Sequence, residues 1–183
     1  MRQRVKLLFL MFGILAGGSM AGDSVDPPAP TEDRVGFPKG YAENFTVLRS
    51  VNRTDKEQVV TVYGNDLTAA VTRAEERPYP YGSIIVMETA TALKDSRGKP
   101  LVDDKGRYRK EKVTGLHVMR REKGFGEVYA QNRTGEWEYV EYRADGSYIT
   151  PPRKSFACAE CHVKAGQDRD FVYVGRFPAA TAK

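Results

Sequence analysis

The chain has 183 residues, with 29 Lys and Arg against 24 Asp and Glu, a formal net charge of +5. That length holds one domain with a real core and is short for two. The positive excess is small and is not gathered into a stripe with interleaved aromatics, so the composition gives no case for nucleic acid as a partner.

At the N-terminus Arg2, Arg4 and Lys6 precede a short apolar run from Leu7 to Leu15, and Ser19-Met20-Ala21 offers a small-x-small pattern. Residues 1–21 are expected to be a cleaved signal peptide, with the mature chain starting near Gly22. An uncleaved anchor is the rival reading, but only about a dozen residues are continuously apolar, against the ~20 needed to span a bilayer. Losing those three basic residues leaves 26 basic against 24 acidic side chains, so the working protein is nearly neutral. The expected location is a bacterial periplasm. Residues 22–40, containing GDSVDPPAPTEDRVGFP, read as a flexible leader rich in Pro, Asp and Gly.

From Tyr41 the pattern becomes that of a folded domain, assigned to residues 41–180. NFTVLRSVN (44–52) alternates like a strand, and EQVVTVY (57–63) is β-branched and reads as a second. DLTAAVTRAEE (66–76) reads as a helix capped by Asn65 or Asp66. After the turn RPYPYG (77–82), SIIVMETATAL (83–93) is the clearest strand. SRGKPLVDDKGR (96–107) carries hairpin turn residues. KVTGLHVMRRE (112–122) and GEWEYVEYR (135–143) are further strands, followed by the turn ADGS (144–147). Pro151-Pro152 stops regular structure, SFACAECHVKAG (155–166) is a second helix, and DFVYVGRF (170–177) is expected as a closing extended segment. The order implies an α+β fold, a mostly antiparallel β-sheet with a few helices.

The only two cysteines, Cys158 and Cys161, stand three apart with His162 directly after. A disulfide would close a very small loop and be a poor staple. Zinc would need four ligands, and the only other histidine is His117, with no second ligand pair at zinc spacing. On a helix, residues three apart share a face. Two thiols so placed can add to the two vinyl groups of a haem, while the adjacent histidine binds the iron. One covalent haem c, attached near the C-terminus through Cys158 and Cys161 with His162 on the metal, is the favoured reading.

Function then turns on the sixth iron position. His117, Met87, Met119 and lysines are the candidates. Strand alternation places Val113, Gly115, His117 and Met119 on one face, and Ser83, Ile85, Met87 and Thr89 on another. If both faces line the haem, His117 and Met87 meet above it as distal residues. Tyr79, Tyr81 and Tyr173 are read as simple packing.

The succession VVTVYGN (59–65), a helix, PYGSIIVMET (80–89), GLHV (115–118) and CAECH (158–162) with DFVYVGRFP after it resembles the cytochrome P-460 family, which includes the β-sheet cytochromes c′. The resemblance runs from about Tyr41 to Pro178. It implies a mono-haem protein with a largely antiparallel sheet, His162 as proximal ligand, and a distal face built from sheet residues. Members resembling cytochrome P-460 proper oxidise hydroxylamine and carry a lysine cross-linked to the haem, in a strand of the form G-[ST]-x-x-V-K-E. Members resembling cytochrome c′-β lack that link and bind nitric oxide on a crowded apolar side. Here Met87 stands at the lysine position, and a thioether cannot form the amine link. His117 falls roughly where the oxidising members have a distal carboxylate, and an imidazole there can relay protons or bind the iron. The leading expectation is an open or weakly occupied iron that binds nitric oxide or a related small nitrogen species. The alternatives are a haem oxidoreductase acting on hydroxylamine, nitrogen oxides or peroxide through His117, and a six-coordinate electron-transfer cytochrome. The expected partners are that small ligand and a soluble redox protein, with a homodimer left open.

Overall fold

The computed structural model describes residues 27–173. The expected signal peptide lies outside the described residues, as do 22–26 of the leader and 174–180 of the assigned domain. Six strands form one antiparallel sheet in simple chain order: β1 (Thr46–Arg53), β2 (Gln58–Gly64), β3 (Ile84–Ala92), β4 (Lys110–Arg121), β5 (Trp137–Tyr142) and β6 (Tyr148–Thr150). The helices are short: α1 (Tyr41–Asn44), α2 (Asp66–Ala70) and α3 (Phe156–Val163). This is the expected α+β architecture. Among the described residues no helix is long and apolar enough to cross a membrane.

Several elements differ from their sequence expectation for local reasons. The helix expected over 66–76 stops at Ala70, because Val71 is extended and the Glu76 carboxylate takes the backbone N–H groups of Thr72 and Arg73. At its start the Asn65 carboxamide accepts from Thr68 N at 3.1 Å and Ile84 N at 3.1 Å, so one side chain caps the helix and ties it to β3. The sixth strand is β6, not the segment after α3. Asp170 and Phe171 there have φ of 49° and 59°, which bends the chain rather than extending it. The hairpin between β3 and β4 consists of two Asp-anchored turns: Asp95 Oδ1 accepts from Arg97 N and Lys99 N, and Asp103 Oδ1 from Lys105 N and Arg107 N. A shift in register between Thr89↔Gly115 and Ala90↔Val113 moves Val113 off the face it was expected to share with His117.

The period of two sorts the sheet into two faces. On one face Val35, Val86, Leu116, Val118, Val140 and Tyr142 form a buried cluster, joined by Phe37, Tyr41 and Val113. Burying each such aliphatic side chain contributes ~1.5–3 kcal/mol. Part of the cover over this face is Val35 and Phe37, which belong to the stretch expected to be a flexible leader, while Ala29 of the same stretch packs against the cluster on the opposite face. The stretch is packed instead, with Pro30, Val35 and Pro38 buried. Arg34 forms an ion pair with the buried Glu138 and lies 4.4 Å over the Phe125 ring. Asp33 Oδ2 accepts from the hydroxyls of Tyr142 and Tyr148 at 2.7 and 3.1 Å. The opposite face carries a second cluster that includes Val62, Tyr79, Ile85, Met119, Tyr129 and Trp137.

The Arg34–Glu138 pair is asymmetric, with the arginine 43% exposed and the glutamate 2%. Removing the arginine strands a carboxylate inside the fold. Arg34→Ala is therefore expected to cost about 2–3 kcal/mol of stability in denaturant unfolding, less than a fully buried pair would. Adding Glu138→Gln to that variant should recover part of the loss.

Candidate haem-binding site

The site starts from a helix that follows two prolines. Pro151-Pro152 ends the strand region, and Ser155 begins the helical turn, its hydroxyl donating to Pro152 O at 2.6 Å and meeting the Tyr129 hydroxyl at 2.7 Å. Ala159 is fully buried, and its small side chain lets α3 sit close against the sheet-side cluster. That orientation leaves Cys158 half-buried and Cys161 exposed, both as free thiols, one helical turn apart. Burial pushes the Cys158 thiol up to about 11, with the Glu141 carboxylate adding to the effect.

After α3 the chain turns at Gly166 and again at Asp170 and Phe171. The second turn is held by Asp170 Oδ2, which accepts the Tyr79 N–H at 2.9 Å. It brings the Phe171 carbonyl to 2.7 Å from His162 Nδ1. The carbonyl can only accept, so Nδ1 carries the proton and Nε2 keeps its lone pair. Burial lowers the His162 pKa, against the opposing pull of the Phe171 hydrogen bond, so the ring is neutral. Tyr139 stacks on it with centroids 4.6 Å apart, and Tyr173 meets it edge-on at 5.5 Å. The ring is thus held in one tautomer and one orientation, as metal-ligating histidines usually are.

Between α3 and the sheet lies a cavity of about 720 Å³. Cys158, Cys161, His162, Val172 and Tyr173 line its helix side, and Val60, Val62, Ile85, Met87, His117 and Met119 its sheet side. The size suits a cofactor pocket, and the apolar lining suits a porphyrin face. The donor set fits a haem: two unpaired thiols on one helix face and a neutral imidazole with a free Nε2. Among the described residues no three His, Cys, Asp or Glu side chains are grouped to hold a metal ion by themselves.

The structure brings together the five residues singled out from the sequence. Met87 and His117 are direct cross-strand partners in β3 and β4. His117 is in turn the partner of Glu141 in β5, and its Nε2 lies 3.0 Å from Glu141 Oε1. Glu141 Oε2 accepts from the Thr150 hydroxyl at 2.7 Å. Glu141 was missed by the sequence reading, although in WEYVEY it shares the core-facing parity of Trp137 and Tyr139, where an acid is out of place. Tyr173 was read as packing, yet it lines the cavity and donates to Cys161 O at 2.8 Å. Tyr79 is core, edge-on to Trp137, and Tyr81 is exposed on Glu136. No lysine is among the described residues that line the cavity.

No curated protein matches the chain at a significant level. The family model of cytochrome P460 matches residues 38–174, most of the chain and the whole of the sheet, cavity and helix described above. The chain belongs to the cytochrome P460 family, whose cytochromes bind haem.

Proposed function

We propose that this protein is an exported mono-haem c cytochrome that binds nitric oxide or a related small nitrogen species at an open iron site. Cys158 and Cys161 hold the haem and His162 ligates its metal. The bound haem supplies an iron whose second face takes up a diatomic ligand. Its location is the periplasm, and a soluble redox protein is its electron partner.

The observation that carries this reading is the engagement of His117. Its Nε2 is turned to Glu141 at 3.0 Å, and that carboxylate is itself held by Thr150. An imidazole committed in this way is a poor sixth ligand, because binding a metal through Nε2 would break the bond and leave Glu141 with one partner fewer. Around His117 the sheet wall offers Met87 and Ile85, with Val60 and Val62 beyond them and charged groups only at the β1 edge. An apolar wall favours a small neutral ligand over a charged one. Met87 also leaves no amine for a cross-link at that position.

The same pair supports a second reading. His117 and Glu141 form an acid–base couple on the cavity wall, oriented by Thr150, which is the arrangement a proton-transferring oxidoreductase uses. In that case hydroxylamine, a nitrogen oxide or peroxide is the substrate and His117 moves the proton.

Visible spectra of the purified ferric and ferrous protein test the first reading. A high-spin ferrous spectrum that changes with nitric oxide and with carbon monoxide is expected. A sharp low-spin spectrum that ignores both gases would overturn it. His117→Ala should leave the ferrous spin state unchanged, whereas a sixth ligand would betray itself by a switch to high spin. Turnover of hydroxylamine with an artificial electron acceptor, lost by ~10²-fold or more in His117→Ala, would establish the second reading instead. The mass of the protein from the periplasmic fraction, expected to begin near Gly22 and to include one haem, checks export and attachment together.

A further inference from the structure

Strand β1 is the sheet edge farthest from the strand under α3. Arg49, Val51 and Arg53 line the cavity from this edge. They share its face because Arg49 pairs with Val62 and Val51 with Val60, and both valines line the same cavity. Two arginines four residues apart on a cavity-lining strand, with Val51 between them on the same face, are out of keeping with the largely apolar wall beside them. Arg34, Arg107, Arg120 and Arg121 each pair with a carboxylate. The backbones of Arg49 and Arg53 serve the β1–β2 ladder and its turn, but their guanidinium groups take part in none of the hydrogen bonds or ion pairs among the described residues. Both residues line the cavity, Arg49 exposed and Arg53 part-buried, and their guanidinium groups are free to take an anion.

The placement of the thiols says which anion fits. His162 stacks on Tyr139 of β5, so the helix side of the cavity sits at the β5 end of the sheet. Four strand spacings of ~4.8 Å separate β5 from β1, about 19 Å, which two long side chains shorten from the far end. A haem carries its two vinyl groups and its two propionates on opposite edges. A haem joined through its vinyl edge to α3 would carry its propionates away from the helix, and β1 is the sheet edge on that far side. Guanidinium groups bind carboxylates in a planar two-point geometry and stay charged at any working pH.

Resting on the reading that haem c fills this cavity, we infer that Arg49 and Arg53 bind the two haem propionates and thereby set the reduction potential of the iron. Two positive groups against two carboxylates leave that edge electrically balanced, although Arg49 is exposed and Arg53 only part-buried. Without them the uncompensated carboxylates would stabilise the ferric over the ferrous state.

The test is the midpoint potential of the purified holoprotein, read by spectroelectrochemistry across pH. Arg49→Gln and Arg53→Gln should each lower it. The double variant should change the ferric-to-ferrous ratio at fixed potential by on the order of tenfold, about 59 mV for a one-electron couple. Its potential should also rise as pH falls through the neutral range, because carboxylates without cationic partners take up protons at higher pH. Arg97→Gln removes the same charge from an exposed hairpin tip and should leave the potential unmoved. Equal shifts in Arg97→Gln and the cavity variants would overturn the inference. So would an unmoved potential with weakened azide binding to the ferric protein, since the arginines would then serve an external anion. A wild-type chain without covalent haem would overturn the haem c reading and this inference with it, whereas attached haem with unmoved potentials overturns the arginine assignment alone.

Discussion

The hydrogen bond from His162 Nδ1 to the Phe171 carbonyl is the constraint on which the site depends. It decides which ring nitrogen faces the cavity, and it exists only because the chain reverses through two residues with positive φ. Non-glycine residues adopt that conformation reluctantly, so the turn has to be held from elsewhere. Asp170 does this by accepting the Tyr79 N–H, and burial of Val172 anchors the far side. A helix, a turn and a loop before β3 thus cooperate to orient one imidazole, and Tyr139 on β5 completes its seat.

The sheet contributes by having two unlike faces. One is covered by Val35 and Phe37 of the N-terminal segment and carries its charges as satisfied pairs: Glu138 with Arg34, and Glu88 with Lys110 and Tyr41. The other is left open beneath α3, with Arg49 and Arg53 at its β1 edge and a line of three functional side chains across its middle strands. Met87, His117 and Glu141 stand side by side there because β3, β4 and β5 pair in register, so a thioether, an imidazole and a carboxylate follow one another at neighbouring strand positions. Gly115, two residues before His117, leaves room for Ile149 and the Glu141 carboxylate, which a Cβ would meet at 3.3 and 3.8 Å.

The local parts of this design were legible in the residues. The spacing of CAECH put both thiols and His162 on the helix that lines the cavity, and strand alternation put Met87 and His117 on the cavity-lining face. What escaped was information that only pairing supplies. Glu141 has the parity of a core residue, but its bond to His117 needs the β4–β5 register. Val113 obeys the same alternation as His117 until the register shift moves it to the other side. Residues 127–132 show no period, because Ala130 breaks the helical path with φ 51°. The leader was misjudged because its prolines and acids suggest solvent, while its few apolar residues, Val35 and Phe37 above all, find a complete sheet face to cover.

The simple strand order has a kinetic side. Every strand pairs with its neighbour in the chain, so the cavity wall can form strand by strand without any pairing that skips a strand, although β2–β3, β3–β4 and β4–β5 are joined by long connections. The contact of α3 with the sheet is a long-range event, and its residues come after all six strands. In a chain that emerges from its N-terminus, the wall can therefore stand before the thiols arrive, leaving them accessible until the last step of assembly.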